Sequence, residues 1–91
     1  MPKIRLSNTS DKLLQVWMEP IPEDYWMCPG DVFTIAYDDS DYSESVIGDA
    51  HFDVSWHDEG VTVWLGTCAF PDVYDQSGAR LECGHQRPKP A

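Results

Sequence analysis

Phe52, Val54 and Trp56 alternate with His51, Asp53, Ser55 and His57; Asp58-Glu59-Gly60 then turns the chain, and Val61 to Thr67 returns as a second apolar run. A period of two suits a pleated strand, whose successive side chains point to opposite faces, and not a helix. The segment therefore predicts a β-hairpin. The remaining sequence is built alike, from short apolar runs broken by turn residues every eight to twelve positions, with no sustained 3.6 periodicity. That spacing is the pattern of an all-β fold. The expected architecture is a single antiparallel β-sandwich of about seven short strands with little or no helix.

Each turn can be read from its residues. Asn8-Thr9-Ser10-Asp11 supplies side-chain acceptors between Ile4-Arg5-Leu6 and the run Leu13 to Glu19, which predicts a first hairpin with Leu14, Val16 and Met18 on one face. Glu19-Pro20-Ile21-Pro22-Glu23 cannot continue a central strand, because two prolines remove two ladder donors, so it marks an edge or a bend. Cys28-Pro29-Gly30-Asp31 fits a type II turn leading into a strand from Val32 to Tyr37. Asp75-Gln76-Ser77-Gly78 is a further tight turn between Val73-Tyr74 and Ala79-Arg80-Leu81. The chain of 91 residues is one domain with modest burial, expected over residues 1–85, with residues 86–91 as a flexible Pro/Lys tail.

The hairpin register follows from keeping one face apolar. Pairing Trp56 with Val63, Val54 with Leu65 and Phe52 with Thr67 does so, and puts Trp56 in the core. The same register sets His57 opposite Thr62, Ser55 opposite Trp64 and His51 opposite Cys68. Trp64 then shares the polar face: either a second layer covers it, or it is an exposed anchor for a partner's arginine.

Charge is segregated along the chain. Fourteen carboxylates and no lysine or arginine lie between Leu13 and Ala79, and the net charge is −10. With 42% apolar residues and eleven aromatics, the chain is nevertheless too hydrophobic for a disordered acidic tail. Direct nucleic-acid binding is disfavoured, since phosphates need a contiguous basic surface; a basic protein partner is the natural complement. The candidate contacts are Asp38, Asp39, Asp41 and Glu44, in an acidic segment expected to project as a loop, together with Trp64. No run approaches the roughly 20 apolar residues of a membrane helix, and Met1-Pro2-Lys3 opens no signal peptide. The expected location is cytoplasmic, without membrane contact.

Catalytic chemistry finds little support. Cys28, Cys68 and Cys83 are an odd number at uneven spacing, so reduced and inert thiols are expected. The sequence has no Gly-x-Ser-x-Gly elbow, and its glycines are dispersed as turn punctuation rather than gathered in a phosphate loop. Asp39-x-Asp41-x-Ser43 resembles the start of a calcium loop, but Glu44 stands where the turn needs glycine and Ala50 where the last ligand should be. No catalytic residue, cofactor or metal is assigned first. A weaker alternative is tetrahedral zinc: His51 and Cys68 as cross-strand neighbours, joined by Cys83 and His85 from an extended closing segment. His57, six residues from His51 and about 20 Å away along a strand, is too far to share that ion.

Asn8-x-Ser10, Glu19-Pro20, Tyr25, Pro29-Gly30-Asp31 and the closing Asp75-x-x-Gly78-x-x-Leu81-x-Cys83-Gly84-His85-x-Arg87-Pro88 resemble a group of small uncharacterised bacterial β proteins over most of the chain. From Ile4 to Tyr37 the order strand, Asn-x-Ser, strand with Trp17, Pro-Gly, strand is also similar to the β domain of the von Hippel-Lindau tumour suppressor. Both resemblances imply a compact β fold and neither implies an activity. The function expected is a non-catalytic acidic binding module that engages a basic protein surface, as an immunity protein or an inhibitor imitating nucleic-acid charge would. A zinc-binding β domain and a structural protein are the alternatives, and a small enzyme would need a deep pocket that a chain of this size seldom encloses.

Overall fold

The computed structural model describes residues 1–40, 47–48 and 50–90. Among the described residues eight strands form in order: β1 (Lys3–Ser7), β2 (Leu14–Glu19), β3 (Glu23–Met27), β4 (Val32–Ala36), β5 (Phe52–His57), β6 (Gly60–Leu65), β7 (Asp72–Tyr74) and β8 (Arg80–Leu81). They make two four-stranded sheets, ordered β1-β4-β7-β8 and β3-β2-β6-β5. The described residues contain no helix. The all-β fold expected from the period-two pattern is what the chain adopts.

The core lies between the sheets and is filled by alternate residues of each strand. Val16 and Met18 from β2, Tyr25 and Met27 from β3, and Val61, Val63 and Leu65 from β6 face Leu6, Phe33, Ile35, Val73 and Leu81 of the other sheet, all of them buried. Tyr37 closes one end, its ring 5.4 Å from that of Phe52 and its hydroxyl donating to the His51 carbonyl at 2.9 Å.

Three local expectations are corrected. The first concerns β1 and β2, which do not form a hairpin: β1 pairs with β4, and β2 lies in the other sheet between β3 and β6. Asn8 is the cause. Buried to 1% exposure, it donates through Nδ2 to the carbonyls of Lys12 (2.7 Å) and Met27 (2.9 Å), while its Oδ1 accepts from the backbone and hydroxyl of Ser10. Its backbone also meets the Pro-Gly turn, with Asn8 N to Asp31 O at 2.9 Å and Gly30 N to Asn8 O at 2.8 Å. These bonds carry the chain across from one sheet to the other.

The second correction is that the sandwich is not wholly antiparallel, because β2 and β6 run parallel. Gly60 makes this approach possible: a Cβ there would collide with the backbone of Gln15.

Third, the β5–β6 hairpin is as expected, but its register is two residues shorter, pairing Phe52 with Leu65, Val54 with Val63, Trp56 with Val61 and His57 with Gly60. The strands continue to a two-residue loop, Asp58-Glu59. A shift of two keeps every side chain on its expected face, yet it moves Trp56 to the end of the sheet, where it is 63% exposed rather than in the core.

The C-terminal segment begins with contacts to β3 and the Pro-Gly turn. Gln86 Nε2 donates to Trp26 O at 2.7 Å and Asp31 Oδ2 at 2.8 Å, and His85 bridges Tyr25 beside the edge strand β3. The Cys28 to Asp31 turn forms as expected, with Gly30 at φ 85° and Asp31 N bonded to Cys28 O at 3.0 Å.

Candidate partner-binding face

Alternation along β2, β3, β5 and β6 leaves one set of side chains on the outer face of their sheet, and the register fixes which stand side by side. Trp26, Gln15, Gly60 and His57 form one row across the strands. Asp24, Trp17, Thr62 and Ser55 form the next, and Glu19, Trp64 and Asp53 the third. Three of the four tryptophans thus share one face with three carboxylates. Trp17 and Trp26 are half-buried, and Trp64 is 37% exposed.

The polar edges of two of these indoles are already engaged. Trp17 Nε1 donates to Glu19 Oε1 and Trp26 Nε1 to Asp24 Oδ2, each at 2.8 Å. Each carboxylate lies two residues away along its strand, so both partners point to the same side. The acids orient the rings, and the rings hold the acids in place. Trp64 stands between Glu19 and Asp53, an indole with a carboxylate on either flank.

Asp24 is the one buried carboxylate of this face. Arg87 clamps it with both arms of its guanidinium, Nε to Oδ2 at 2.8 Å and a second nitrogen on Oδ1, and the Cys83 thiol adds a longer contact at 3.6 Å. These bonds, Arg87 first, hold the Asp24 carboxyl far below the usual carboxylate range. Gly84, at φ 86°, donates its N–H to the Asp24 carbonyl, and a Cβ there would press on Arg87. The closing Cys-Gly-His-x-Arg segment is therefore a clasp over the β3 edge. Its charge is spent on Asp24, so Glu19 and Asp53 lack a lysine or arginine partner among the described residues.

The expected contacts divide accordingly. Trp64 is exposed, as its anchor reading requires. Asp38 is fully exposed after β4, its carboxylate accepting from Ser40 N at 2.9 Å and held below its ordinary range by that turn. Asp39 follows it, half-buried; Asp41 and Glu44 lie outside the described residues. The Tyr37 hydroxyl bond to His51 places Asp38 and Asp39 at the end of the sandwich where β5 begins, the end that carries Glu19, Trp64 and Asp53. Trp17 and Trp26 were missed as site residues. The signal was available in the spacing Trp17-x-Glu19 and Asp24-x-Trp26, an acid and an indole on one face of a strand.

The zinc tetrad does not assemble. His51 immediately precedes β5 and faces Gly66, not Cys68, with Gly66 N bonded to His51 O at 2.8 Å. Cys83 and His85 belong to the clasp outside β3, beyond the opposite edge of the same sheet, four strand spacings or about 19 Å from β5. The His85 ring instead stacks edge-on against Phe33 at 5.8 Å. Among the described residues no group of three or more His, Cys, Asp or Glu side chains could hold a metal ion.

Two depressions of about 360 and 340 Å³ flank the loop from Asp75 to Gly78. Arg5, Thr34 and Tyr74 line the first and Asp31, His85 and Gln86 the second. Their carboxylates already serve the fold: Asp75 accepts from Ser77 and Ala79, and Asp31 from Cys28 and Gln86. Among the described residues no helix is long and apolar enough to cross a membrane. Set against known proteins, the chain matches no family model, no curated protein and no solved structure.

Proposed function

We propose that this chain is a non-catalytic acidic binding module of the cytoplasm that engages a basic protein surface, in the manner of an immunity protein or an inhibitor imitating nucleic-acid charge. The observation that carries the reading is the outer face of the β3-β2-β6-β5 sheet, where Trp17, Trp26 and Trp64 lie among Glu19, Asp24 and Asp53. An arginine can lie flat on an exposed indole while its guanidinium reaches a flanking carboxylate, combining a cation–π contact with a charge-assisted hydrogen bond. Trp64 between Glu19 and Asp53 has the residue types for that pairing, and Asp38 and Asp39 extend the negative field along the same end. The net charge of −10 speeds encounter with a positive partner and repels polyanions.

Capture from a bacterial lysate on immobilised protein tests this. The bound partner should be basic, should elute between about 0.1 and 0.5 M salt as surface charges are screened, and should be lost from a Trp64→Ala column. Capture indifferent both to salt and to Trp64 contradicts the reading.

A further inference from the structure

The two sheets end in four edge strands, and three of them are guarded against pairing with another chain. β3 is covered by the clasp, with Trp26 N bonded to His85 O at 2.9 Å. β1 exposes Lys3 and Arg5, and lysine or arginine on an edge discourages a further strand. β8 is two residues long. Among the described residues the fourth, β5, has none of these devices: it is six residues, Phe52–His57, with no proline and no lysine. Its last two residues and Asp53 and Ser55 are exposed, including Trp56 at 63%.

The orientation of its free backbone groups follows from the turn. In a hairpin closed by a two-residue loop the flanking pair, here His57 and Gly60, exchanges hydrogen bonds, and the exchange recurs at every second residue. Asp53, Ser55 and His57 therefore bond inward to β6, and Phe52, Val54 and Trp56 direct their N–H and C=O groups to the side away from β6, where no strand of the described residues lies.

We infer that a second copy of this chain occupies that side, pairing β5 with β5 antiparallel about a two-fold axis through Ser55. Charge selects the register. With Ser55 on the axis, Asp53 faces His57 of the other copy on the outer face, twice by symmetry, and Val54 faces Trp56 on the inner face. Sliding one way by two residues puts Asp53 opposite Ser55, without a partner for its charge, and by four opposite Asp53; sliding the other way by two puts Asp53 opposite Glu59. In the Ser55-centred register the strand's only carboxylate meets a histidine, a hydrogen-bond donor in either protonation state, and the exposed indole gains an apolar cover. The open groups of Val54 and Trp56 then bond to each other across the axis, and the paired sheets become one, with the two tryptophan faces side by side. A two-fold, self-complementary contact is the commonest form of homo-oligomer.

The test is sedimentation equilibrium of the full chain at about 0.3 M salt, where repulsion between two strongly acidic copies is screened. The expected mass is twice the 10.3 kDa of one chain. Ser55→Lys, which sets two ammonium groups against each other on the axis without touching the core, should weaken association at least about tenfold, equivalent to about 1.4 kcal/mol. Asp53→Lys should weaken it as well, and Asp53→Lys with His57→Asp should restore it; this charge exchange decides the matter if Ser55→Lys fails to fold. A 10.3 kDa species at all concentrations, or a dimer indifferent to the charge exchange, overturns the inference. Salt also separates it from partner binding, since salt favours this dimer and weakens capture of a basic protein.

Discussion

Asn8 joins three segments with one side chain, because its amide nitrogen serves the Lys12 and Met27 carbonyls while its oxygen serves Ser10. Deleting that amide leaves buried carbonyl groups unpaired, and Asn8→Ala is expected to cost about 2–3 kcal/mol in urea denaturation. Asn8→Asp should cost more, since it sets an oxygen where both carbonyls need a donor. Thr67 is the converse case. It is 5% exposed, and its hydroxyl is buried without a hydrogen-bond partner among the described residues; Thr67→Val, of the same shape, should raise stability by about 1 kcal/mol. Asp24 supplies the pH dependence. Arg87 holds its folded pKa well below the ordinary value of 3.8, so its contribution is fully present above that value and is lost as pH falls from there toward the depressed folded pKa. Asp24→Asn should therefore flatten the acid limb of a stability–pH curve.

At the scale of elements, what the sequence made legible was whatever depends on a local period. The alternation of β5 and β6, the type II turn at Gly30, the inward set Val16 and Met18, and the Asp75 to Gly78 turn all rest on neighbours within a few residues. What could not be read depends on contacts made at a distance. The β2–β6 parallel pairing is invisible in either strand alone, yet it is why residue 60 must be glycine; Gly60→Ala should cost at least about 1–3 kcal/mol, as overpacking does. The hairpin register failed by two residues because Gly60 was counted as turn rather than strand, which the Gln15 backbone lying against it decides. The clasp is equally invisible locally, because Pro and Lys after Gln86 look like a tail while the anchor of Arg87, Asp24, lies over sixty residues earlier. In the candidate site, Trp64 was found from its place on the polar strand face. Trp17 and Trp26 join that face only because β2 lies between β3 and β6, which neither strand shows alone.

For the molecule as a whole, carboxylates from the stretch between Leu13 and Ala79 gather on one sheet face at Glu19, Asp24 and Asp53, with Arg87 neutralised by Asp24. The central claim is that tryptophans on one sheet face turn this field into a site. The indole N–H resonances of the four tryptophans report it directly. On titration with an arginine-rich peptide, at about 0.1 M salt where long-range charge is partly screened, the Trp64 signal should move most and those of Trp17 and Trp26 should follow, while Trp56, on the opposite face of the same sheet, stays in place. Equal movement of all four, or movement of none while backbone signals near scattered acids shift, would contradict the account.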